Sequence, residues 1–456
     1  MPWGENWMTE QRQLHLNAFL LGVGHHESAW RLPESDAFSQ VDLAHYAKVT
    51  QIAERGKFDS IFFADGPALI GDPRYRPLAA LDPLPLLAAL ATQTTKIGLI
   101  ATASTTYKEP YDLARQFATI DHISNGRAGW NIVTTASPEA ARNFGRDERP
   151  THAERYARAE EFVDVTTRLW DSWQDDAVIA DKVAGVFAQD ERIHAINHVG
   201  ERFKVAGPLN VPRSPQGYPV LVQAGSSESG RAFAGRWAEA IFVAVRTLDE
   251  AQEFQSDIKT LAVAAGRRPQ DVVVMPGLVP FLGSTEAEAI ARHQEFTDQI
   301  IPAYSLRQLS TLFGVDMTGA NLDGPLPEVP LGQDNEGHKS RSTLIAEFAH
   351  REKLTVRQLI IQLGGGRGHR EFTGTPEQLA NDLELWFREG GADGFNVMPP
   401  GFPADLETFV EQVVPILQKR GLFREEYDGT TLRDHYGLQR PANRITSERT
   451  LTGTSS

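Results

Sequence analysis

No cysteine occurs anywhere in the 456 residues. Disulfides, thiolate metal sites, iron–sulfur clusters, thiol nucleophiles and dithiol redox chemistry are excluded together. Any electron chemistry has to use a borrowed cofactor. Also missing is an apolar run near the roughly 18 residues of a membrane span. The apolar stretch 18–24, behind the polar start MPWGENWMTEQRQ, is too short for a signal sequence with its cleavage site. Long basic runs are lacking too: 45 Lys and Arg stand against 60 Asp and Glu, a net charge of −15. Such a chain is a poor match for phosphate backbones or anionic lipid, so neither nucleic acid nor membrane is an expected partner. The expectation is a soluble, cytoplasmic protein.

What is present is an ordinary globular balance, 41% hydrophobic and 23% charged, enough for a large core. Continuous apolar runs recur between amphipathic stretches of ten or more residues. Expected strands fall at 14–24, 60–66, 97–105, 128–137, 218–225, 239–245, 271–283 and 393–400. Buried strands separated by helices mean βαβ units and a parallel sheet covered on both faces. Eight such units predict an α/β fold, a (β/α)8 TIM barrel, over a doubly wound open sheet. Thr375-Pro376-Glu377-Gln378 spells a helix start with a capping box. Insertions are expected at 174–217, with short strands, and at 302–370, with a Pro/Gly-rich half and a helix. A connection that long usually forms a lid or a substrate loop. The reading is one barrel domain over 1–423, with the lid at 302–370. The polar stretch 424–456 reads as a C-terminal arm over a neighbour, disordered in its last ten residues.

Function in such a barrel sits at the C-terminal strand ends. Reading those ends gives Gly24-His25-His26-Glu27, Asp65, Thr102 with Ser104, Asn131, Ser226-Ser227 and Met398. There is no carboxylate cluster, and no metal is expected. His25 and His26 also fit a plain strand-end turn. Gly225-Ser226-Ser227-Glu228-Ser229-Gly230 follows a buried strand and opens a helix, where free N–H groups, the helix dipole and hydroxyls suit a phosphate. An over-provided N-cap is the alternative. Gly364-Gly365-Gly366-Arg367-Gly368-His369 fails G-x-G-x-x-G and is expected to precede a loop, so no dinucleotide site is read. His152 and Tyr156, four apart, share a helix face beside the barrel mouth. Arg31, Arg74 and Arg76 near strand mouths could meet an anionic substrate, although solvated rim side chains are the simpler reading.

Taken together, GHHESAWRLPES (24–35), SIFFADG (60–66), NGRAGWNIVTTASPEAARNFG (125–145), the His152/Tyr156 pair, VLVQAGSSESGR (220–231), GTPEQLANDL with GGADGFNVMPP (374–400) and TTLRDHYGLQRPANR resemble one family. It is the nitrilotriacetate and dibenzothiophene-sulfone monooxygenase family, a branch of the bacterial luciferase-like flavin monooxygenases. The resemblance implies a TIM barrel that takes reduced FMN from a separate NAD(P)H:FMN reductase. With O2 as co-substrate it would oxygenate a small heteroatom-bearing molecule, with hydroxylation or C–N or C–S cleavage. Matched position by position, Asp65, Thr102 and Ser104 are implied as strand-end flavin contacts. His152, Tyr156, Ser226 and Ser227 are implied around the phosphate end, and Asn131 near the ring. His25 and His26 stand for chemistry or substrate binding. Where the family more often has Ser after Ala-Asp, this chain has Gly66-Pro67, a change at the substrate wall. A homodimer or homotetramer is implied. The rivals are a deazaflavin-dependent dehydrogenase of the same superfamily, against which the AWR and DGFNVMPP segments speak, a metal-dependent barrel hydrolase, and a flavin binder without turnover.

Overall fold

The computed structural model describes residues 12–446 apart from 79, 330–338 and 367. The disorder expected of the last ten residues lies outside this range. Eight parallel strands form the ring: β1 (His15–Leu20), β2 (Ser60–Phe63), β3 (Gly98–Ser104), β4 (Ala128–Val133), β5 (Val220–Gln223), β6 (Ala240–Val243), β7 (Val273–Leu282) and β8 (Gly394–Val397). Each pairs with the next, and β8 returns to β1 with His15 opposite Gly394. The sheet is closed, a (β/α)8 barrel, and all eight expected strands are present. Each is shorter than its apolar run, because the flanking residues turn out of the ring.

Both faces of the ring are dry, which is why the strands read as unbroken apolar runs. Strand alternation sends Leu16, Ala18 and Leu20 outward against the helices, while Phe19 points in to meet Phe62 and Phe242 edge-on. Covering the outside are α1 (Leu43–Arg55), α2 (Pro83–Ala91), α3 (Pro110–Ile123), α4 (His152–Trp170), α5 (Glu228–Trp237), α6 (Leu248–Ala264) and α7 (Pro376–Arg388). Their starts are set by side chains that accept otherwise unpaired N–H groups. Thr151 with Glu154, Thr247 with Glu250, and Thr375 with Gln378 make reciprocal capping boxes, the last as the sequence predicts. The first insertion carries two small antiparallel hairpins, Val178–Asp181 with Val186–Ala188 and His198–Val199 with Lys204–Val205.

Two features depart from the sequence reading. First, the Gly-rich segment 364–369 precedes a strand, Arg370–Gly374, that extends the sheet beside the outer half of β7. Its pattern is polar and only half-buried, so periodicity hides it. Secondly, the stretch expected to lie over a neighbour closes the N-terminal mouth of its own barrel. Leu432, Arg433, His435 and Tyr436 are each no more than 3% exposed. Arg433 donates to the Gln216 carbonyl at 3.0 Å and to Glu239 at 2.9 Å. The Tyr436 hydroxyl donates to Asn17 Oδ1 at 2.7 Å, inside the ring. Polar residues are buried here because each finds a partner, a fact that composition cannot reveal.

Leu432 sits at the start of β3 and β4, against Gly98 and Gly129, and a Cβ on either would strike its methyl groups or its neighbours. Leu432→Ala should cost about 2–5 kcal/mol in urea unfolding. Gly98→Ala should cost about 1–3 kcal/mol through overpacking. Because both act at one contact, the double variant should lose less than the sum. Strict additivity would mean that the segment does not plug the barrel.

Candidate functional site

The parallel ring places every C-terminal strand end on one rim. β1 leaves it through Gly22 and Gly24, both at positive φ, and a Cβ on Gly24 would strike the backbone of Pro400. That close approach lets His25 and His26 donate their backbone N–H to Pro399 and Pro400 carbonyls, 3.1 Å each. The His25 ring donates from Nε2 to the Phe19 carbonyl at 2.9 Å, so Nδ1 is its acceptor. Ser28 donates its hydroxyl to the Phe296 carbonyl at 2.6 Å and its backbone N–H to His26 Nδ1 at 3.2 Å, with its Oγ 2.7 Å from the same nitrogen. Among the described residues, His25 Nδ1 and His26 Nε2 have no partner. Burial pushes both imidazoles down to about 3, helped by other basic groups nearby. At neutral pH both rings are uncharged.

Next on the rim, β3 and β4 place Thr102 opposite Asn131, whose amide donates to the threonine hydroxyl at 2.7 Å. Asn131 Oδ1 is left without a partner among the described residues, although the residue is 2% exposed. Ser104, one layer up, accepts from the Thr135 hydroxyl at 2.7 Å and from the Thr106 amide at 3.1 Å. Its oxygen is already engaged. Asp65, just past β2, is half-buried, and burial together with nearby Asp82 raises its carboxyl. Met398 is buried under the loop after β8.

The strand-turn-helix at 220–237 is built as the sequence implies. Ser227 is the N-cap of α5, accepting the Gly230 N–H at 3.1 Å. Tyr156, on the first turns of α4, brings its hydroxyl to the same glycine: a Cβ on Gly230 would lie 3.0 Å from Tyr156 Oη and 3.1 Å from Ser227 Oγ. His152 packs against Tyr156 with ring centres 4.7 Å apart. Imidazole, phenol, hydroxyl and the positive end of a helix thus converge around a point that only glycine leaves open. Ser226 lies one residue outside that cap.

Beside the His26 wall lies a cavity of about 390 Å³ between the ends of β1 and β2 and the second insertion. The insertion covers it with the helices Pro302–Phe313, Lys339–Arg351 and Val356–Gly364. Glu27, quoted in the sequence only as part of a segment, lies on its wall and accepts from the Ser305 hydroxyl, 278 residues away. Burial pushes the Glu27 carboxyl up to about 7. Glu371 rises to about 7 for the same reason and accepts the Gly366 amide at 2.6 Å. Of the three candidate rim arginines, Arg74 pairs with Asp72 at 2.6 Å, Arg31 donates to the Gln299 carbonyl, and only Arg76 lines the cavity. None of these pairings has a local sequence pattern. Among the described residues no three His, Asp or Glu are placed to hold a metal ion, and no helix is long and apolar enough to cross a membrane.

Comparison with known proteins adds names to this geometry. Residues 21–394 match the family model for luciferase-like monooxygenases. The chain is 48% identical over 437 residues to N-acetyl-S-(2-succino)cysteine monooxygenase of Bacillus subtilis (strain 168), covering 96% of this chain and 99% of that protein. It is 46% identical over 452 residues to nitrilotriacetate monooxygenase component A of Aminobacter aminovorans, with 96% and 99% covered. Among solved structures, the EDTA monooxygenase of Chelativorans sp. BNC1 superposes with a TM-score of 0.80 at 36% identity, covering 94% of this chain and 99% of that one.

The buried groups predict a pH dependence whose sign can be worked out. The folded Glu27 keeps its proton up to about 7, whereas an unfolded glutamate releases it near 4.5. Stability is therefore lost as pH rises through that window and stays lost above it; His25 and His26, lowered, act oppositely below 6.5. Glu27→Gln retains the Ser305 hydrogen bond but removes the titration. Relative to wild type it should gain about 2–3 kcal/mol between pH 4.5 and pH 8 in urea unfolding. A pH-independent difference would place the Glu27 carboxyl in an ordinary, solvated environment.

Proposed function

The chain belongs to the luciferase-like monooxygenase family, and on that premise we propose that it is the oxygenase component of a two-component system, receiving reduced FMN from a separate NAD(P)H:FMN reductase. When bound, the reduced flavin supplies the electrons that activate O2. The carrying observation is the cradle at the start of α5. Ser227, Tyr156, His152 and the helix N–H groups form a donor set that suits a phosphate dianion, around a glycine that leaves room for it. Asn131 Oδ1, buried and without a partner among the described residues, suits an N–H on the polar edge of a ring, with Thr102 orienting the amide. Asp65 would meet the same ring from β2. The residues fit the group.

The remaining task belongs to the protein. His25 and His26, held neutral by burial, can each offer a hydrogen-bonding nitrogen, Nδ1 and Nε2 respectively, without placing a cation at the mouth. The insertion would cover the cavity and keep water out while the reaction runs. The substrate is read as a small heteroatom-bearing organic molecule, and the reaction as hydroxylation or C–N or C–S cleavage. Both curated relatives named above are monooxygenases, which supports oxygen chemistry over hydride transfer, and the designation "component A" in one supports a separate reductase. No dinucleotide fingerprint opposes that division. A homodimer or homotetramer in the cytoplasm completes the reading.

The pure chain should not oxidise NADH in the presence of FMN until a reductase is added, as followed at 340 nm; rapid oxidation by the chain alone would overturn the two-component reading. The phosphate end gives a sharper test. A charge-assisted bond from His152 contributes about 1.5–3 kcal/mol, so His152→Ala should weaken FMNH2 binding roughly ten- to a hundredfold. Tyr156→Phe should have a smaller effect, and turnover at saturating flavin should survive both. Reduced riboflavin, lacking the phosphate, should bind wild type and His152→Ala about equally. An equal loss for riboflavin would mean that His152 does not hold a phosphate.

A further inference from the structure

The cavity under the insertion holds a charge that the fold does not balance. Arg76 lines it half-buried, and a guanidinium stays ionised at any physiological pH. Among the described residues no carboxylate lies within ion-pair distance of it. The nearest acid on its own loop, Asp72, is taken by Arg74 at 2.6 Å and by Arg307 from the insertion helix. Glu27 feels the positive charge of Arg76 without pairing with it, and its carboxyl is occupied by Ser305. His25 and His26 feel the same charge and remain neutral. The Tyr304 hydroxyl stands near the guanidinium on the same wall, a second donor for an anion. The rest of the wall mixes apolar Phe63, Leu81, Leu309 and Ile360 with polar Gln40 and Gln308.

A half-buried cation in a cavity, without an ion-pair partner among the described residues, is a recognition element open to a counter-charge. We propose that Arg76 is the specificity-determining residue of the substrate cavity, binding the carboxylate of a small molecule whose apolar, heteroatom-bearing body fills the space toward His26. This deepens the oxygenase reading and rests on it for what happens to the bound molecule, but not for the binding itself. The planar fork of Arg76 presents two parallel N–H groups to a carboxylate, with the Tyr304 hydroxyl beside them. Burial lifts the Glu27 carboxyl to about 7, which lessens its repulsion of an anion at neutral pH. A volume of about 390 Å³ lies toward the small end of ligand pockets, which favours a compact acid over a long chain.

The test uses (benzylthio)acetate and its neutral isostere (benzylthio)acetamide, titrated calorimetrically into the full-length protein without flavin. Wild type should bind the acid roughly ten- to a hundredfold more tightly than the amide. Arg76→Gln should abolish that preference while leaving amide binding within about twofold, and Arg76→Lys should keep part of it. Circular dichroism of both variants should match wild type, since Arg76 makes no ion pair with the described residues. A preference for the acid that survives in Arg76→Gln overturns the proposal. So does a wild type that binds the amide as well as the acid, or binds neither at millimolar concentration. The two readings fail separately. Acid-selective, Arg76-dependent binding without oxygenated product in the presence of reductase, NADH and FMN would sink the oxygenase reading alone. Oxygenation of acid and amide at equal efficiency by wild type and Arg76→Gln would sink this one alone.

Discussion

Closure of the ring at β1 is the constraint on which the rest of the structure depends. β1 touches β8 on one side and β2 on the other, and the residues just before those two strands are fully or nearly buried aspartates. Asp59 takes His15 at 2.9 Å, the Leu16 amide at 2.7 Å and Arg424 at 2.6 Å. Asp393 takes Arg12 at 2.7 Å, Lys259 at 2.8 Å and the Val274 amide at 3.0 Å. Burial alone would raise both carboxyls, but Arg424 and His15 in one case, and Lys259 and Arg12 in the other, more than offset it and leave both lowered. Buried charges are tolerated where every lone pair is used. Here each joins neighbouring strands with a helix or the C-terminal segment, and a closed ring with a single rim follows.

That rim is the open end, because the other end is sealed by the C-terminal segment. Two interior asparagines make the contrast. Asn17 accepts from Ser60 and from Tyr436 of the plug, both at 2.7 Å. Asn131 has a donor committed to Thr102 and an acceptor with no partner among the described residues. Unpaired atoms also occur at the base, as in His435, but there the ring is wedged against Tyr427. At the rim the unpaired Oδ1 of Asn131 and Nε2 of His26 border a cradle and a cavity. Asn396, level with Asn17 on β8, is also buried with both amide atoms unpartnered among the described residues, so what sets the rim apart is the space beside its unpaired atoms.

How much of this was legible in the sequence follows from what each element buries. The eight barrel strands announce themselves because both faces are apolar; Arg370–Gly374 does not, because it lies outside the ring with polar side chains. The cradle was legible because Ser227 and Gly230 lie three apart and His152 and Tyr156 four apart, spacings that one helix turn brings together. Their meeting across α4 and α5 came from the family resemblance. The plug was not legible, since Arg433 and Tyr436 read as surface residues until Glu239 and Asn17 are placed beside them. Nor was the Glu27–Ser305 contact, which joins segments with no local pattern in common.

That contact also shows how the insertion is tied to the chemistry. The loop after β1 carries His25 and His26, and four of its groups bind the insertion or the segment just before it. The Glu27 amide donates to the Gly364 carbonyl at 2.8 Å and its carboxyl accepts from Ser305; Ser28 donates to the Phe296 carbonyl, and Arg31 to Gln299. The insertion therefore cannot shift as a body without breaking the two bonds to Glu27, the residue next to His26. A cover built on an independent loop would open without consequence for the site beneath it. Here His26 faces the cavity and the next residue, Glu27, is hydrogen-bonded to two of the helices that close it, so a displacement of those helices reaches His26 through one residue.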